Sequence, residues 1–354
     1  MGRAPGPSNA ALAEALFRLA DREPPGERRL ALLRAGYSAM DEPGPVRRRV
    51  LSEAPPWLEP LLGQLLACPG EAALAAAVER LAGGGARRRR PSRERFLSRA
   101  DVDAALDGAP EALRPGLLRG AFHWHTRDSD GHASLETMAR ACRKRGASWA
   151  VVADHSRGLE VASGLDGEGV RLQRRRIDRW NARHGDETVL FQGLEVEVLE
   201  DGTVDVPPVE REALDVVVAA VHRDLGPERD QTERLVRAVR TPGVHVLAHP
   251  RGRLFQHRQG IRARWERVFE ACAAEGVAVE INGFPRRQDL DWELARLAAA
   301  AGCRLLLASD AHAVPHLAFD RYALAIAVRA GIDPAAILNF RRADAFRDWL
   351  ATGA

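Results

Sequence analysis

Residues 117–124 read LLRGAFHW, the first of seven short apolar runs that alternate with amphipathic helical segments. The other six runs are WAVVAD (149–154), VLFQGLEVEV (189–198), DVVVAAVH (215–222), VHVLAH (244–249), VAVEIN (277–282) and RLLLASD (304–310). Apolar runs separated by helices are typical of a parallel sheet with helical crossovers. Seven such units without a reversal point favour a closed α/β barrel over an open sheet.

Most of these runs end in a side chain that can bind a metal ion. The carboxyl ends of parallel strands gather at one face of a β/α fold, so we expect these side chains to converge. Imidazole together with carboxylate suits zinc, manganese or iron. The ligands are too many for one ion, which predicts a cluster of two or three. The candidate residues, which lie within the runs, at their ends or shortly after them, are His123, His125, Asp130, Asp154, His155, Glu195, His222, His249, Glu280, Asn282, Asp310 and His312.

The two histidines of the first run form an HxH pair. His123 and His125 are two positions apart, and side chains at i and i+2 of a regular strand point to the same face. Both imidazoles are therefore predicted to face one ion.

Outside the barrel pattern, the chain is predicted to begin with a separate helical segment. Residues 1–82 contain several helical stretches, the first with Ser8 or Asn9 as its N-cap. Residues 83–116 are a basic linker and a short helix, and residues 117–354 form the barrel. Within the barrel, SLETMARACRKRG (134–146) shows helical spacing of its apolar residues and a stop at Gly146.

The composition is that of an ordinary soluble enzyme, with 45% hydrophobic and 29% charged residues. No apolar run approaches the roughly 20 residues of a membrane span, and the start of the chain lacks a signal-peptide layout. We therefore expect a cytoplasmic protein with no membrane partner. The net charge of +3 does not by itself indicate a nucleic-acid partner. Four cysteines without a CxxC pair predict reduced thiols.

The motifs HWHTRDSDG, VADHS, GLEVEV, VHRDL, AHPRGRL, EINGFP and SDAH resemble, in order and spacing, those of the PHP (polymerase and histidinol phosphatase) domain. The resemblance is greatest to the C-terminal PHP domain of bacterial family X DNA polymerases and covers residues 120 to about 332. It implies a distorted (β/α)7 barrel with two to three divalent ions (Mn, Zn or Fe). It also implies that His123, His125, Glu195 and Asp310 hold the first ion, that Glu195, His222 and His249 hold the second, and that Asp130, His155 and His312 hold the third.

The chain departs from the polymerase pattern in several places. Ala121 stands where the family has an Asp two residues before the first histidine, which predicts the loss of a carboxylate behind the ligands. Residues 8–82 resemble the small helical domain of those polymerases, and residues 67–81 resemble a worn helix–hairpin–helix that keeps only Gly70. No polymerase palm fits between the two regions. Lys144 is the only lysine, so Schiff-base lyase chemistry is not expected in the helical domain.

The resemblance implies a metal-dependent phosphoesterase. Clustered divalent ions lower the pKa of bound water to about 7, which supplies hydroxide at neutral pH. They also neutralise phosphate oxygens as charge develops. We expect Glu195, Asp310 and Arg253 at the catalytic centre. Arginine matches phosphate in bidentate geometry, and the predicted substrate-binding residues are Arg127, Arg157, Arg223, Arg251 and Asn282.

The expected substrate is a phosphate ester at the 3′ end of DNA, cleaved by a 3′-5′ exonuclease or 3′-phosphatase in DNA repair. The polymerase resemblance and the arginines after the strands favour it, whereas the small net charge and the worn hairpin oppose it. Two alternatives stay open. One is a small-molecule phosphatase of the histidinol-phosphatase type, and the other is a non-catalytic DNA-binding module.

Overall fold

The computed structural model describes residues 6–44, 46, 54–82, 91–159 and 162–352. The chain divides into two compact units, Met1–Gly108 and Ala109–Ala354. Residues 83–90 of the predicted basic linker lie outside the described residues. Across the described ranges, every helix is too short or too polar to cross a bilayer.

The first unit is helical in its described part. Ser8 caps the first helix, because its side chain accepts a hydrogen bond from Ala11 N at 3.2 Å, as the sequence predicts. A Cβ at Gly36 would lie 2.4 Å from Phe17 Cε1, so a glycine at this position allows the second helix to pack closely on the first. The helices are α1 (Asn9–Ala20), α2 (Glu27–Asp41), α3 (Glu59–Leu66), α4 (Glu71–Leu81) and α5 (Arg99–Asp107).

The second unit contains a closed barrel of seven parallel strands, which confirms the predicted fold class. Each strand pairs with its neighbours in chain order, and the first pairs with the last. The strands are β1 (Gly120–Trp124), β2 (Trp149–His155), β3 (Val189–Glu197), β4 (Val216–Ala220), β5 (Val246–Leu247), β6 (Ala278–Asn282) and β7 (Leu305–Ala311).

Helices connect the strands and follow the last one. The helix between β1 and β2 ends at Lys144, and Gly146 follows it with φ +87°, in agreement with the predicted stop. The helices are α6 (Leu135–Lys144), α7 (Gly167–His184), α8 (Pro208–Glu212), α9 (Thr232–Val239), α10 (Trp265–Ala274), α11 (Trp292–Ala300), α12 (Asp320–Ala330) and α13 (Ala343–Thr352).

One end of the barrel is filled by aromatic side chains from α13. Phe346 stacks on Trp149 with ring centroids 3.8 Å apart, and Trp349 joins the same buried cluster. Because Trp149 begins β2, α13 closes the barrel at the amino ends of the strands. Polar side chains are therefore left for the opposite, carboxyl end. All four cysteines are free thiols, as predicted.

Strand β1 contains a bulge at His123. The pairing register shifts between Phe122 and Trp124 against both neighbouring strands, and His123 has φ +59°. Phe122 packs inside the barrel, whereas Ala121 and Trp124 pack against the outer layer. The bulge interrupts the regular i, i+2 alternation, but ligand atoms of His123, His125 and Asp310 still lie within 4.8 Å of one another, as the prediction that both imidazoles face one ion requires.

Candidate metal centre

The nine predicted metal ligands meet at the carboxyl end of the barrel. They come from four of the strands and from the loops that follow strands. Their ligand atoms form four groups in which all atoms lie within 4.8 Å of one another. The groups are His125, Asp130, His155 and His312; His123, His125 and Asp310; His123, Glu195 and His249; and His155, Glu195 and His222.

Glu195 lies at the centre of these groups. Its Oε1 is 2.8 Å from His249 Nε2 and 3.2 Å from His222 Nε2. Its Oε2 is 3.2 Å from His123 Nε2 and 3.1 Å from His155 Nδ1. The carboxylate is buried and faces four imidazoles from different strands, as expected for a ligand that two ions share.

The arrangement around Asp130 differs from the predicted third set. His312 Nε2 and His155 Nε2 lie 3.2 and 3.6 Å from Asp130 Oδ2, as the prediction requires. His125 also lies here, with Nδ1 3.7 Å from Asp130 Oδ1, while its Nε2 lies 3.3 Å from Asp310 Oδ1. His125 thus stands between two groups, and the structure does not separate the ligands into the three sets that the sequence analysis drew.

Two further carboxylates orient the histidines from behind. Glu280 Oε2 lies 2.6 Å from His123 Nδ1, and Glu197 Oε2 lies 2.6 Å from His222 Nδ1. Such partners fix which ring nitrogen faces an ion. The sequence analysis placed Glu280 at a run end but assigned it no role. It missed Glu197, although the two-residue spacing from Glu195 was a usable signal.

Ala121, where the family has an Asp, packs with the outer layer of the barrel. His123 still has a carboxylate behind its ring, because Glu280 lies against Nδ1. The effect of the missing Asp at position 121 stays a prediction.

Asp310 is held by one donor at the end of β6 and one in the loop that follows it. Asn282 Nδ2 donates to Asp310 Oδ2 at 3.1 Å, and Arg287 Nε donates to the same oxygen at 3.0 Å. Asn282 also donates to Glu280 at 2.8 Å and is fully buried. Asn282 thus supports the ligands and does not offer its amide to substrate, contrary to expectation. Arg287 was missed, because no spacing rule connects a loop arginine to Asp310.

Arg253 is not placed to contact a substrate. Its side chain is 2% exposed, and its Nε donates to the Arg287 carbonyl at 2.9 Å. Its Nη1 is 3.3 Å from Asp291 Oδ2, and Arg251 Nη1 is 3.1 Å from the same oxygen. The expectation that Arg253 belongs to the catalytic centre is corrected by this burial. The two arginines instead tie the loop after β5 to the start of α11.

The other three predicted arginines lie on the surface. Arg127, Arg157 and Arg223 are all exposed. Arg127 Nε donates to the His132 carbonyl at 3.0 Å, and Arg223 Nη2 donates to the Gly158 carbonyl at 2.9 Å. Each follows a strand that carries a ligand, so their guanidinium groups remain candidates for phosphate contact.

The charges of the centre are strongly coupled. Burial alone would lower the pKa of His123, but the Glu280 and Glu195 carboxylates raise it well above its usual value. Burial also opposes protonation of His222, but the Glu195 and Glu197 carboxylates raise the pKa of His222 to about 9. Burial lowers the pKa of His125 to about 3. Burial opposes ionisation of Glu195, but the neighbouring histidines hold its pKa well below the usual range.

The donor set fits divalent metal ions. Both ring nitrogens of His125, together with Nδ1 of His155 and Nδ1 of His249, are buried without a hydrogen-bond partner among the described residues. Buried polar atoms without partners are costly, and a bound cation would satisfy them. Imidazole nitrogens and carboxylate oxygens are the ligands that zinc, manganese and iron accept.

A closed parallel barrel with clustered histidines and carboxylates at its carboxyl end defines an α/β-barrel protein equipped for several metal ions. No family model matches the chain. The chain is 32% identical over 232 residues to the DNA polymerase/3′-5′ exonuclease PolX of Bacillus subtilis, covering 65% of this chain and 40% of PolX. It is 28% identical over 166 residues to a probable phosphatase of Syntrophotalea carbinolica, covering 42% of this chain and 64% of the phosphatase.

The chain is therefore a homologue of PolX and of the probable phosphatases, and the prediction of a PHP-type protein is confirmed. It spans 40% and 64% of the length of these two relatives. Among solved structures, the histidinol phosphate phosphatase of Lactococcus lactis, complexed with zinc, L-histidinol and phosphate, matches with a TM-score of 0.42 and 12% identity. That match covers 61% of this chain and 94% of the phosphatase.

Proposed function

We propose that this protein is a metal-dependent phosphoesterase that hydrolyses phosphate esters at DNA 3′ ends, as a 3′-5′ exonuclease or 3′-phosphatase. The observation that carries the proposal is the cluster of nine ligand side chains, in which four buried imidazole nitrogens have no hydrogen-bond partner among the described residues. The homologues support it, because they are named as an exonuclease-bearing polymerase and as phosphatases.

Different residues of the chain would hold the ions, orient the ligands and bind phosphate at such a site. Bound divalent ions would polarise the phosphate group and lower the pKa of water. Glu195 would help to hold two ions, because its two oxygens face different histidine pairs. Asn282 and Arg287 keep Asp310 turned toward His125. The exposed Arg127, Arg157 and Arg223 would bind phosphate oxygens at the rim.

We propose DNA as the substrate because PolX is more similar to this chain than the S. carbinolica phosphatase is. PolX is named as a DNA polymerase and 3′-5′ exonuclease, and it aligns over more of this chain than the S. carbinolica phosphatase. We assign the helical segment 1–82 to DNA binding by its likeness to the polymerase N-terminal domain. A cytoplasmic location and a role in DNA repair belong to the same proposal.

A small-molecule phosphatase is the second candidate. Several relatives are named as probable phosphatases, and one from Caldicellulosiruptor bescii matches over 55% of this chain and 80% of its own length. Their names specify no DNA substrate. If the protein is a small-molecule phosphatase, Arg127, Arg157 and Arg223 would bind a single phosphate group.

The test compares kcat/KM on three substrates with the manganese-loaded protein. They are a single-stranded oligonucleotide with a 3′-hydroxyl, the same strand with a 3′-phosphate, and a panel of sugar and amino-alcohol phosphates. We expect DNA to be preferred and its turnover to fall steeply as salt rises. A metabolite turned over orders of magnitude faster, with little salt dependence, would replace the DNA assignment. No hydrolysis of any phosphate ester with manganese, zinc or iron would overturn the phosphoesterase itself.

A further inference from the structure

Helix α7 contains six arginines, which form two groups that differ in exposure and in their partners. Two are only partly exposed and have acidic partners. Arg174 Nη1 lies 2.8 Å from Asp215 Oδ2, and Arg176 pairs with Asp128. The other four are exposed and make no hydrogen bond or ion pair within the part of the chain that the structure describes. We call these four the α7 arginine row: Arg171, Arg175, Arg179 and Arg183.

The α7 arginine row follows one side of the helix. Successive members are four residues apart, which places them about 6 Å apart along the helix axis and spreads the row over about 18 Å. The opposite side of α7 is buried against the barrel through Val170, Gln173, Ile177 and Trp180. The row is therefore directed into solvent as a line of evenly spaced positive charges.

A small cavity of about 70 Å³ extends this charge toward α6. Arg179 and Arg183 line it from α7, and Arg140 lines it from α6, with Glu136 as the acidic side chain in its wall. Arg140 is exposed and also makes no hydrogen bond or ion pair with a described residue. An anionic group in this cavity would meet guanidinium groups from both helices.

Helix α7 is anchored to the metal centre from its inner side. Gln173 Nε2 donates to Asp154 Oδ2 at 2.7 Å, and Asp154 immediately precedes the ligand His155. Asp154 also accepts from Thr126 N at 2.7 Å, in the loop that follows His125. The N-terminal half of α7, which contains Gln173, therefore lies on the same side of the barrel as the ligands, and the row continues away from the site along the outside.

We propose that the α7 arginine row binds the phosphodiester backbone of a single DNA strand whose 3′ end lies at the metal centre. This inference rests on the proposed function and names the surface that holds the rest of the strand. The inward arginines of α7 are already neutralised by acids, whereas the row has positive charge available for phosphates. Each neutralised phosphate releases condensed counterions, so the row contributes a salt-dependent part of the affinity.

The test measures binding separately from hydrolysis. Fluorescence anisotropy of a labelled strand of about 20 nucleotides, with phosphorothioate linkages at its 3′ end to slow hydrolysis, is followed with the metal-loaded protein over about 50–200 mM salt. We compare wild type, Arg175→Gln/Arg179→Gln, and a matched control, Arg237→Gln/Arg240→Gln. The control arginines are exposed on or just after α9 and have protein partners, the Asp201 carbonyl and Glu275. Thermal unfolding checks that each variant is folded.

The row variant should show a slope of log affinity against log salt that is smaller by about 1.4, since each single-strand phosphate contact contributes about 0.7. The control should match wild type, and all three metal-loaded proteins should hydrolyse p-nitrophenyl phosphate equally. Unchanged DNA affinity and slope in the row variant would overturn the inference. Binding of the same variants to phosphatidylserine vesicles is measured as well. If the row variant loses vesicle binding but keeps its DNA binding, the row binds a membrane surface and the inference is overturned. Normal row-dependent binding without DNA hydrolysis by wild type would support the row and contradict only the proposed function.

Discussion

Glu195→Gln tests the central feature of the metal centre, a buried carboxylate shared between ions. The substitution keeps the shape of the side chain but removes its charge and replaces one oxygen with an NH2 group. Four imidazole nitrogens lie within 3.2 Å of the two oxygens. Glu197→Gln is the matched control, because Glu197 lies on the same strand, is equally buried, and makes its side-chain contact with His222 alone among the ligands.

The expected loss of metal affinity follows from the number of ions that each carboxylate contacts. Glu195 belongs to two of the four ligand groups. Loss of a partner behind a ligand costs about 10- to 100-fold in metal affinity, which is the range expected for Glu197→Gln. Loss of a direct ligand should reach at least about 100-fold for each of two ions, or about 2.8 kcal/mol per ion. Glu195→Gln should therefore lower bound metal by more than one ion per chain.

The assay is metal content by mass spectrometry after dialysis against a buffered manganese solution, with circular dichroism to show that the fold persists. Phosphoesterase activity on p-nitrophenyl phosphate is measured alongside. Glu195→Gln should lose more activity than Asp130→Asn, because Asp130 serves one ligand group. If Glu197→Gln loses more metal than Glu195→Gln, the role assigned to each carboxylate of β3 is refuted.

Four further outcomes are expected. Arg287→Gln should lower kcat by about 10- to 100-fold with little change in KM, because Asp310 loses a donor; an unchanged kcat would remove Arg287 from the site. Burial lowers the pKa of His245, whose Nδ1 accepts a hydrogen bond from Val217 N. As the pH falls below about 6.5, His245 therefore binds a proton in the unfolded state before it does so in the folded state, and the free energy of unfolding decreases. Urea unfolding at two pH values should show this loss, and His245→Gln should reduce it. Chelator should lower the Tm and abolish activity, and manganese should restore both best; a metal-indifferent Tm and activity would contradict the site. The chain should not extend a primer, because no polymerase palm fits between its helical region and its barrel. It should not cleave an abasic site by lyase chemistry either, because no lysine precedes Lys144; borohydride trapping of residues 1–82 on abasic DNA would contradict this.

The positions of the ligands were predictable because they depend on local pattern. An apolar strand followed by a helix places its last residues at the carboxyl face, wherever the strand lies in the barrel. This rule found His222 at the end of one run and Asp310 at the end of another. It could not find Arg287 or the bulge at His123, since these depend on neighbours far away in the chain.

The sequence by itself determined the seven β/α units, the cluster of histidines and carboxylates, and the homology to PHP proteins. Only the tertiary structure decided that β1 pairs with β7, that His125 stands between two ligand groups, and that Arg253 is buried. The physical reason is the range of the interactions. Strand-end polarity is set within a few residues, whereas barrel closure and the pairing of His123 with Glu280 join segments 157 positions or more apart through packing.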